Sequence, residues 1–281
     1  MIEPVRSGAE LVAEIRDSIP GPGMLYVWWL GQSGFVVKSR AGLLVIDPYL
    51  SEHLSQKYAG TARPHVRMTR APLTGGDLRD VAVVLASHKH SDHIDPGTLP
   101  ALMAASPGAT LMLPASLLDH AIGLGLPAAR LVGLDDGNTV VRDGFTVRGV
   151  ASAHEELDTD DQGRHLYLGF VVEVDGRRLY HSGDGIAYDG LAGRLGNDRF
   201  DAMFLPINGR DPARGVPGNM SAAEAVGLAR TVRPRFVVPH HYDMFTFNTV
   251  PVTDVIREAR RLPEGVEARV LRCGERWEIT P

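Results

Sequence analysis

Ser87-His88-Lys89-His90-Ser91-Asp92-His93-Ile94-Asp95 sets four side chains able to bind a metal, His88, His90, Asp92 and His93, within six residues. The apolar run 81–86 leads straight into them. Its length and β-branched content predict a short buried strand that delivers the cluster at its end. Continued through His88 and His90, such a strand would set both imidazoles on one face, because side chains alternate with period two. Asp92 and His93 then fall in a turn and can face a second ion. Histidine is the commonest metal ligand and carboxylate a hard oxygen donor. Mixed nitrogen and oxygen ligation without cysteine suits zinc, manganese or iron, in a catalytic centre rather than a structural zinc knot. A polar turn that gathered three histidines by chance is the competing view. With 11 histidines in 281 residues, it does not account for this density.

Working outward, three more strand-like runs end on ligand types. Residues 147–153 lead to His154, residues 178–181 lead through Ser182-Gly183 to Asp184, and residues 236–239 lead to His240 and His241. Alone, each is an ordinary strand-end histidine or turn aspartate. Beside the first cluster they supply the further groups that a two-ion centre needs.

The remaining pattern frames these runs. A helix is predicted over 7–17, broken by Pro20-Gly21-Pro22-Gly23, then strands over 24–30, 35–39 and 43–46. Residues 51–80 read as a long irregular connection, a kind that is usually functional. Helices are expected over 96–105, with Asp95 as N-cap, and over 116–122, 222–231 and 253–261. Further strands are expected over 111–113, 139–141, 145–151, 166–174, 178–181, 201–205, 236–239, 268–271 and 277–279. A hairpin turns at Asp175-Gly176. Strands in groups with helices between them, without strict alternation, point to two sheets layered with flanking helices. No linker divides the chain.

Composition narrows the function. Hydrophobic residues make up 44% and charged residues 22%, with a net charge of −5. That balance gives no electrostatic argument for nucleic acid or anionic membrane as partner. No apolar run approaches the roughly 20 residues that span a bilayer. The N-terminus lacks a secretory pattern, so a soluble cytoplasmic protein is expected. Cys273 is the single cysteine, which excludes an intrachain disulfide.

On these residues the chain resembles the metallo-β-lactamase superfamily, whose His-x-His-x-Asp-His motif stands at His88–His93. The resemblance runs over nearly the whole chain. It takes in Asp47 after the early strands, His154, Tyr180-His181-Ser182-Gly183-Asp184 and Val238-Pro239-His240-His241. It implies an α/β (α+β) fold, a four-layer αββα sandwich forming one domain over 1–281, with similar halves at about 24–150 and 151–281. It implies two divalent ions, zinc, manganese or iron. His88, His90 and His154 would hold the first, and Asp92, His93 and His241 the second, with Asp184 bridging. His241 is preferred to His240 because the family places the ligand directly after Pro-x. The implied chemistry is attack by a hydroxide shared between the ions on a carbonyl carbon or phosphorus. Asp92 would orient it and take its proton. Asp47 would support a ligand histidine from behind, or simply form an Asp-Pro turn. His240 is expected behind the ligands or at the pocket.

Within the superfamily the chain looks most like the L-ascorbate-6-phosphate lactonases. The residues concerned are Trp28-Trp29-Leu30-Gly31, Asp47-Pro48, Leu179 to Asp184, Arg214-Gly215, Met220-Ser221-Ala222, His241 and Asp243. It departs from them in being shorter and in carrying His154 where an acidic residue is expected. The function so implied is metal-dependent opening of a lactone, or cleavage of a related ester, of a small molecule with or without a phosphate. A phosphodiesterase or nuclease on the same two ions is the alternative, and a non-catalytic metal-binding protein the third reading. The partner is a small-molecule substrate, with neither nucleic acid nor membrane expected, and a homo-oligomer is allowed. For substrate contact the candidates are Asn208, Arg210 and Arg214 in a Gly/Pro-rich loop, since arginine suits anions. Arg67 and Arg70 are candidates on the same ground, and Tyr242 could donate to an oxyanion.

Overall fold

The computed structural model describes residues 1–196 and 199–281. Two seven-stranded sheets form its centre. The first uses β1 (Leu25–Gly31), β2 (Gly34–Ser39), β3 (Gly42–Ile46), β4 (Val81–Leu85), β5 (Thr110–Pro114) and β6 (Leu131–Leu134). The second uses β7 (Thr139–Arg142), β8 (Phe145–Ala151), β9 (Leu168–Val174), β10 (Arg177–His181), β11 (Ala202–Pro206), β12 (Phe236–His240) and β13 (Glu267–Ala268). The closing strand β14 (Arg276–Ile279) returns to pair antiparallel with β1. The switch between sheets thus falls between Leu134 and Thr139.

Each sheet is mixed. β1, β2 and β3 form an antiparallel meander, after which β3, β4, β5 and β6 run parallel. In the second sheet β7 to β10 are antiparallel and β10 to β13 parallel, with the expected turn joining β9 to β10. Period-two alternation decides which side chains enter which layer. Along β1, Leu25, Val27 and Trp29 join Phe35, Phe170 and Phe204 in the core between the sheets. Trp28 and Leu30 face the other way, onto Leu11, Ile15, Leu99 and Leu102 of the outer helices. This is the four-layer αββα sandwich that the sequence implies.

Several predicted elements are shorter or longer than observed. β4 stops at Leu85 and does not continue through His88 and His90. The physical reason is local: the Ser87 N–H donates to the Asp47 carboxylate at 2.8 Å instead of to a neighbouring strand. The helix expected over 96–105 begins only at Leu99. Asp95 still caps the turn ahead of it, accepting from Gly97 N at 2.9 Å. β6 and the helix Leu191–Leu195 have no strong pattern in the sequence. The long connection contains a short helix, His53–Lys57. Among the described residues, no helix is long and apolar enough to cross a membrane.

Candidate metal centre

Five strand ends and one hairpin turn meet at one edge of the sandwich. β3 delivers Asp47, β4 the loop from Ser87 to His93, β8 His154, β10 Asp184 and β12 His241, while the β1–β2 turn brings Gln32. Gln32, Asp47 and His241 all hold left-handed backbone, with φ of 50°, 43° and 62°. Such conformations are uncommon outside glycine and cluster where a site demands them. Backbone bonds lock the two sheets together here: His241 N donates to Gln32 O at 3.0 Å and Leu168 N to Ser87 O at 3.0 Å.

All seven side chains implied as ligands converge. One donor atom from each of His88, His90 and His154 lies within 4.8 Å of the others. The same holds for His88, His93 and Asp184, and for Asp92, Asp184 and His241. Asp184 sits at the centre. Its Oδ1 is 3.3 Å from His93 Nε2, and its Oδ2 is 3.1 Å from His241 Nε2 and 3.9 Å from His154 Nε2. His88 Nε2 and His90 Nδ1 approach to 2.9 Å although no strand carries them.

Neighbouring groups fix which ring nitrogen points inward. Asp47 Oδ2 accepts from His93 Nδ1 at 2.7 Å, leaving Nε2 to face the cluster. The Gly218 carbonyl accepts from His154 Nδ1 at 3.0 Å, which leaves its Nε2 lone pair free. Ser87 Oγ donates to Asp47 Oδ2 at 2.6 Å and so can accept from His88 Nδ1 at 3.0 Å. Orientation of ligand imidazoles by a carboxylate or carbonyl behind them is the usual arrangement around protein metals. Asp47 therefore does two jobs that looked like alternatives in the sequence, forming the turn and holding His93.

The charges fit a cation. Burial, with His93 and His90 close by, holds His88 well below the usual histidine range. Burial likewise lowers His90 to about 4. His93 is held well above that range, because Asp184, Asp47 and Asp92 outweigh the burial that opposes its charge. Asp184 is held well below the carboxylate range, since His241 and His93 overcome its own desolvation. Neutral imidazoles and ionised carboxylates are the forms that bind divalent ions, so His88, His90 and Asp184 already hold them, while His93 would give up a proton to an ion. Moreover, the buried His93 Nε2 points into the cluster and makes no well-aligned hydrogen bond, with Asp184 Oδ1 at 3.3 Å. An ion at that point would satisfy it, so the donor set fits the group that the sequence implies.

Gln32 carries no signal in the sequence, yet its Nε2 donates to Asp92 Oδ2 at 2.8 Å and lies 3.0 Å from His241 Nε2. Ser33 Oγ beside it donates to Asp184 Oδ1 at 3.3 Å. Only glycine suits position 183, where φ is 59° and a Cβ would come within 2.7 Å of Ser87 Cβ and 3.0 Å of the Leu168 carbonyl oxygen. Gly183→Ala should destabilise the protein by about 2–4 kcal/mol, adding backbone strain to overpacking. Denaturant unfolding measures this; an unchanged midpoint would show that the β10 end can shift freely.

The cluster floors a cavity of about 390 Å³. Its walls include Leu54, Lys57, Tyr58 and His65 from the long early connection, so that segment builds the site. Phe245, Phe247 and Asn248 face them, beside Gly215, Val216 and Pro217. The Tyr58 and His65 rings stack at 4.2 Å, and His65 meets Phe247 edge-on at 4.6 Å. Burial lowers the His65 pKa, which keeps this wall neutral.

The residues expected to meet substrate are placed elsewhere. Arg214 braces the loop from behind, donating to the Asn208 carbonyl at 2.6 Å and to Asn248 Oδ1 at 3.3 Å. Arg210 pairs with Glu224. The Asn208 side chain is buried between Asn219 and Asn248. Tyr242 donates its hydroxyl to the Leu271 carbonyl and packs on Trp29. Arg67 is buried, donating to the Ser51 carbonyl at 2.9 Å and pairing with Glu52 at 3.0 Å. Arg70 pairs with Glu3 on the surface. In each case a carbonyl, amide or carboxylate of the chain itself is the partner. His240 lies one layer back, fully buried and stacked on His181 at 4.9 Å. The wall residues Tyr58, His65, Phe245 and Phe247, by contrast, escape sequence reasoning.

A family model described as the beta-lactamase superfamily domain matches residues 43–242. Among curated proteins, one from Escherichia coli O127:H6 named "Probable L-ascorbate-6-phosphate lactonase UlaG" is 26% identical over 268 residues, covering 85% of this chain and 75% of that protein. Among solved structures, the isothiocyanate hydrolase from Delia radicum gut bacteria superposes with a TM-score of 0.68 at 21% identity, covering 90% of this chain and 98% of that one. Igni18, a metallo hydrolase from Ignicoccus hospitalis KIN4/I, gives 0.65 at 20% identity, covering 91% and 98%. At such identities the two structures establish the fold.

Proposed function

The chain belongs to the beta-lactamase superfamily, matched over residues 43–242, and is a metal-dependent hydrolase; we propose that it opens a lactone, or cleaves a related ester, of a small molecule. One observation carries this: seven imidazole and carboxylate side chains converge at the strand ends, with Asp184 central, and five of them (His90, Asp92, His154, Asp184 and His241) line a cavity of small-molecule size. His88, His90 and His154 would hold one divalent ion and Asp92, His93 and His241 a second, with Asp184 shared. When bound, such ions acidify a water and polarise the oxygen of a carbonyl or phosphoryl group.

The chain's own groups do the rest. Asp92 is fixed through one carboxylate oxygen by Gln32 and lines the cavity, which suits it to orient the attacking water and accept its proton. Asp47 and the Gly218 carbonyl keep His93 and His154 aligned without entering the cavity. The rings of Tyr58, His65 and Phe247 border the same cavity and give it an apolar wall. The lactone reading draws on the relative from Escherichia coli, whose printed name is that of a lactonase. Phosphodiester cleavage on the same centre is the second reading, because the polarised oxygen can equally belong to phosphorus.

Metal analysis of the purified protein, paired with a panel of lactones and phosphodiesters assayed with added Mn²⁺ or Zn²⁺, tests the proposal. Two ions per chain and metal-dependent lactone opening are expected. Phosphodiester cleavage alone would replace the leading reading with the second. Less than one ion after reconstitution, with no turnover, would overturn both.

A further inference from the structure

The chain holds only three lysines, Lys38, Lys57 and Lys89, among 29 basic residues. Lys38 is committed to the fold, its ammonium donating to the carbonyls of Ile15 and Arg16 at 2.6 and 2.8 Å. The other two both line the cavity over the metal-type cluster. Each is exposed, and among the described residues neither lies within ion-pair distance of a carboxylate. Lys57 has one partner in reach, the face of Tyr58 at 5.3 Å. Of the nearby arginines, Arg67, Arg210 and Arg214 are by contrast bound to carbonyls or carboxylates, while Arg63 lies against Gly215 on the far side of the cavity lining. Two free ammonium groups at the mouth of one cavity, on a chain of net charge −5, run against the charge of the whole molecule.

Beside them stands the wall of Leu54, Tyr58, His65 and Phe247. Its rings are held by one another: His65 lies against Tyr58, Phe245 and Phe247 at centroid distances of 4.2, 5.0 and 4.6 Å. A surface of packed rings gains most from covering an apolar or planar group, which it desolvates without needing a polar partner. A sugar ring laid on these rings would leave the hydroxyls on that face unpaired, Ser91, Asn219 and Asn248 lining other parts of the cavity. The volume, about 390 Å³, admits a small molecule and no duplex.

We infer that Lys57 and Lys89 form an anion-recognising rim, and that the substrate is a small lactone or ester with an apolar or aromatic body and a carboxylate or phosphate at one end. The inference rests on the hydrolase reading above for the reacting bond, but the rim and wall stand on their own geometry. The cluster takes the scissile group, the rings take the body, and the ammonium groups take the charged end. Lysine suits this last part as a mobile point charge that tolerates either anion.

Equilibrium binding to the metal-loaded protein tests it, with phenylphosphonate and 3-phenylpropionate as anionic probes and 3-phenylpropanol as the uncharged one. The Lys57→Ala/Lys89→Gln double variant and a Lys57→Arg/Lys89→Arg variant are compared with wild type, metal content being measured in each. Wild type is expected to favour the anions by about tenfold or more, which corresponds to 1.4 kcal/mol per tenfold. That preference should collapse in the neutral double variant and return with the arginines. Methylphosphonate should bind more weakly than phenylphosphonate if the rings hold the body. A preference for anions that survives in the double variant would overturn the rim, since the ions alone would then account for it. Equal affinity for methyl- and phenylphosphonate would overturn the wall. The two anionic probes separate carboxylate from phosphate as the natural end group. Lysine-dependent binding without hydrolysis of any lactone or ester would remove the hydrolase reading and leave the rim; hydrolysis of uncharged lactones with no anion preference would do the reverse.

Discussion

Asp184→Ala, purified from metal-supplemented medium, is expected to carry markedly less metal than wild type and to lose hydrolysis by about a thousandfold or more. The expectation follows from position. Asp184 is the carboxylate within 4 Å of histidines from both halves of the cluster, reaching His93 and His241 on one side and His154 on the other. Removing it takes away the group shared by two of the three donor trios. Two imidazoles that it holds above their ordinary range, His93 and His241, also lose a counter-charge. Breaking such a buried pair costs about 3–5 kcal/mol. The core between the sheets is built from other residues, so the fold should persist at a lower midpoint. Asp184→Asn keeps the shape and one oxygen donor, and so separates lost charge from lost packing. It loses the same counter-charge, so it should unfold well below wild type, though above the alanine variant, and bind metal poorly. His88→Ala should lower metal content in the same way, through the trio with His90 and His154. Full metal occupancy in Asp184→Ala would sink the shared assignment.

The centre could be read from the sequence because its information is local and repeated. Four side chains able to bind a metal stand within six residues, and three more each follow a strand-like run. Strand ends on one edge of a sandwich meet in space whatever the details between them, so the convergence did not depend on getting every boundary right. β4 ends three residues before His88, yet the loop still brings His88 to 2.9 Å from His90. The walls of the cavity obey no such rule. His65 meets Phe245 and Phe247 across about 180 residues of chain, a pairing that no window of sequence contains. Arginine in a glycine-rich loop advertises charge but not its partners, and Arg214 spends its donors on the Asn208 carbonyl and Asn248. Gln32 is silent for the opposite reason. One amide in a Gly-Gln-Ser-Gly turn looks like any other hairpin residue until Asp92 and His241 are seen against it.

Asp47→Ala should be the most damaging change outside the ligands themselves. Asp47 is wholly buried, and its carboxylate accepts from Ser87 N at 2.8 Å, Ser87 Oγ at 2.6 Å and His93 Nδ1 at 2.7 Å. Alanine leaves all three donors without their acceptor in a closed interior. The expected loss of stability is about 3–5 kcal/mol, read as a lowered denaturant midpoint. Metal affinity should fall by about 10–100-fold, because the group that orients a ligand imidazole is gone. Asp47→Asn distinguishes the two effects. The amide oxygen can still accept from Ser87 N, so much of the stability should return. Its NH₂, however, then faces Ser87 Oγ and His93 Nδ1, where acceptors are now required. His93 must move its proton to Nε2, the nitrogen that points at Asp184, and so loses the lone pair that an ion would use. Asp47→Asn should therefore be stable and metal-poor at once. Wild-type metal affinity in that variant would show that His93 does not depend on Asp47 for its tautomer, and would leave Asp47 with the turn alone.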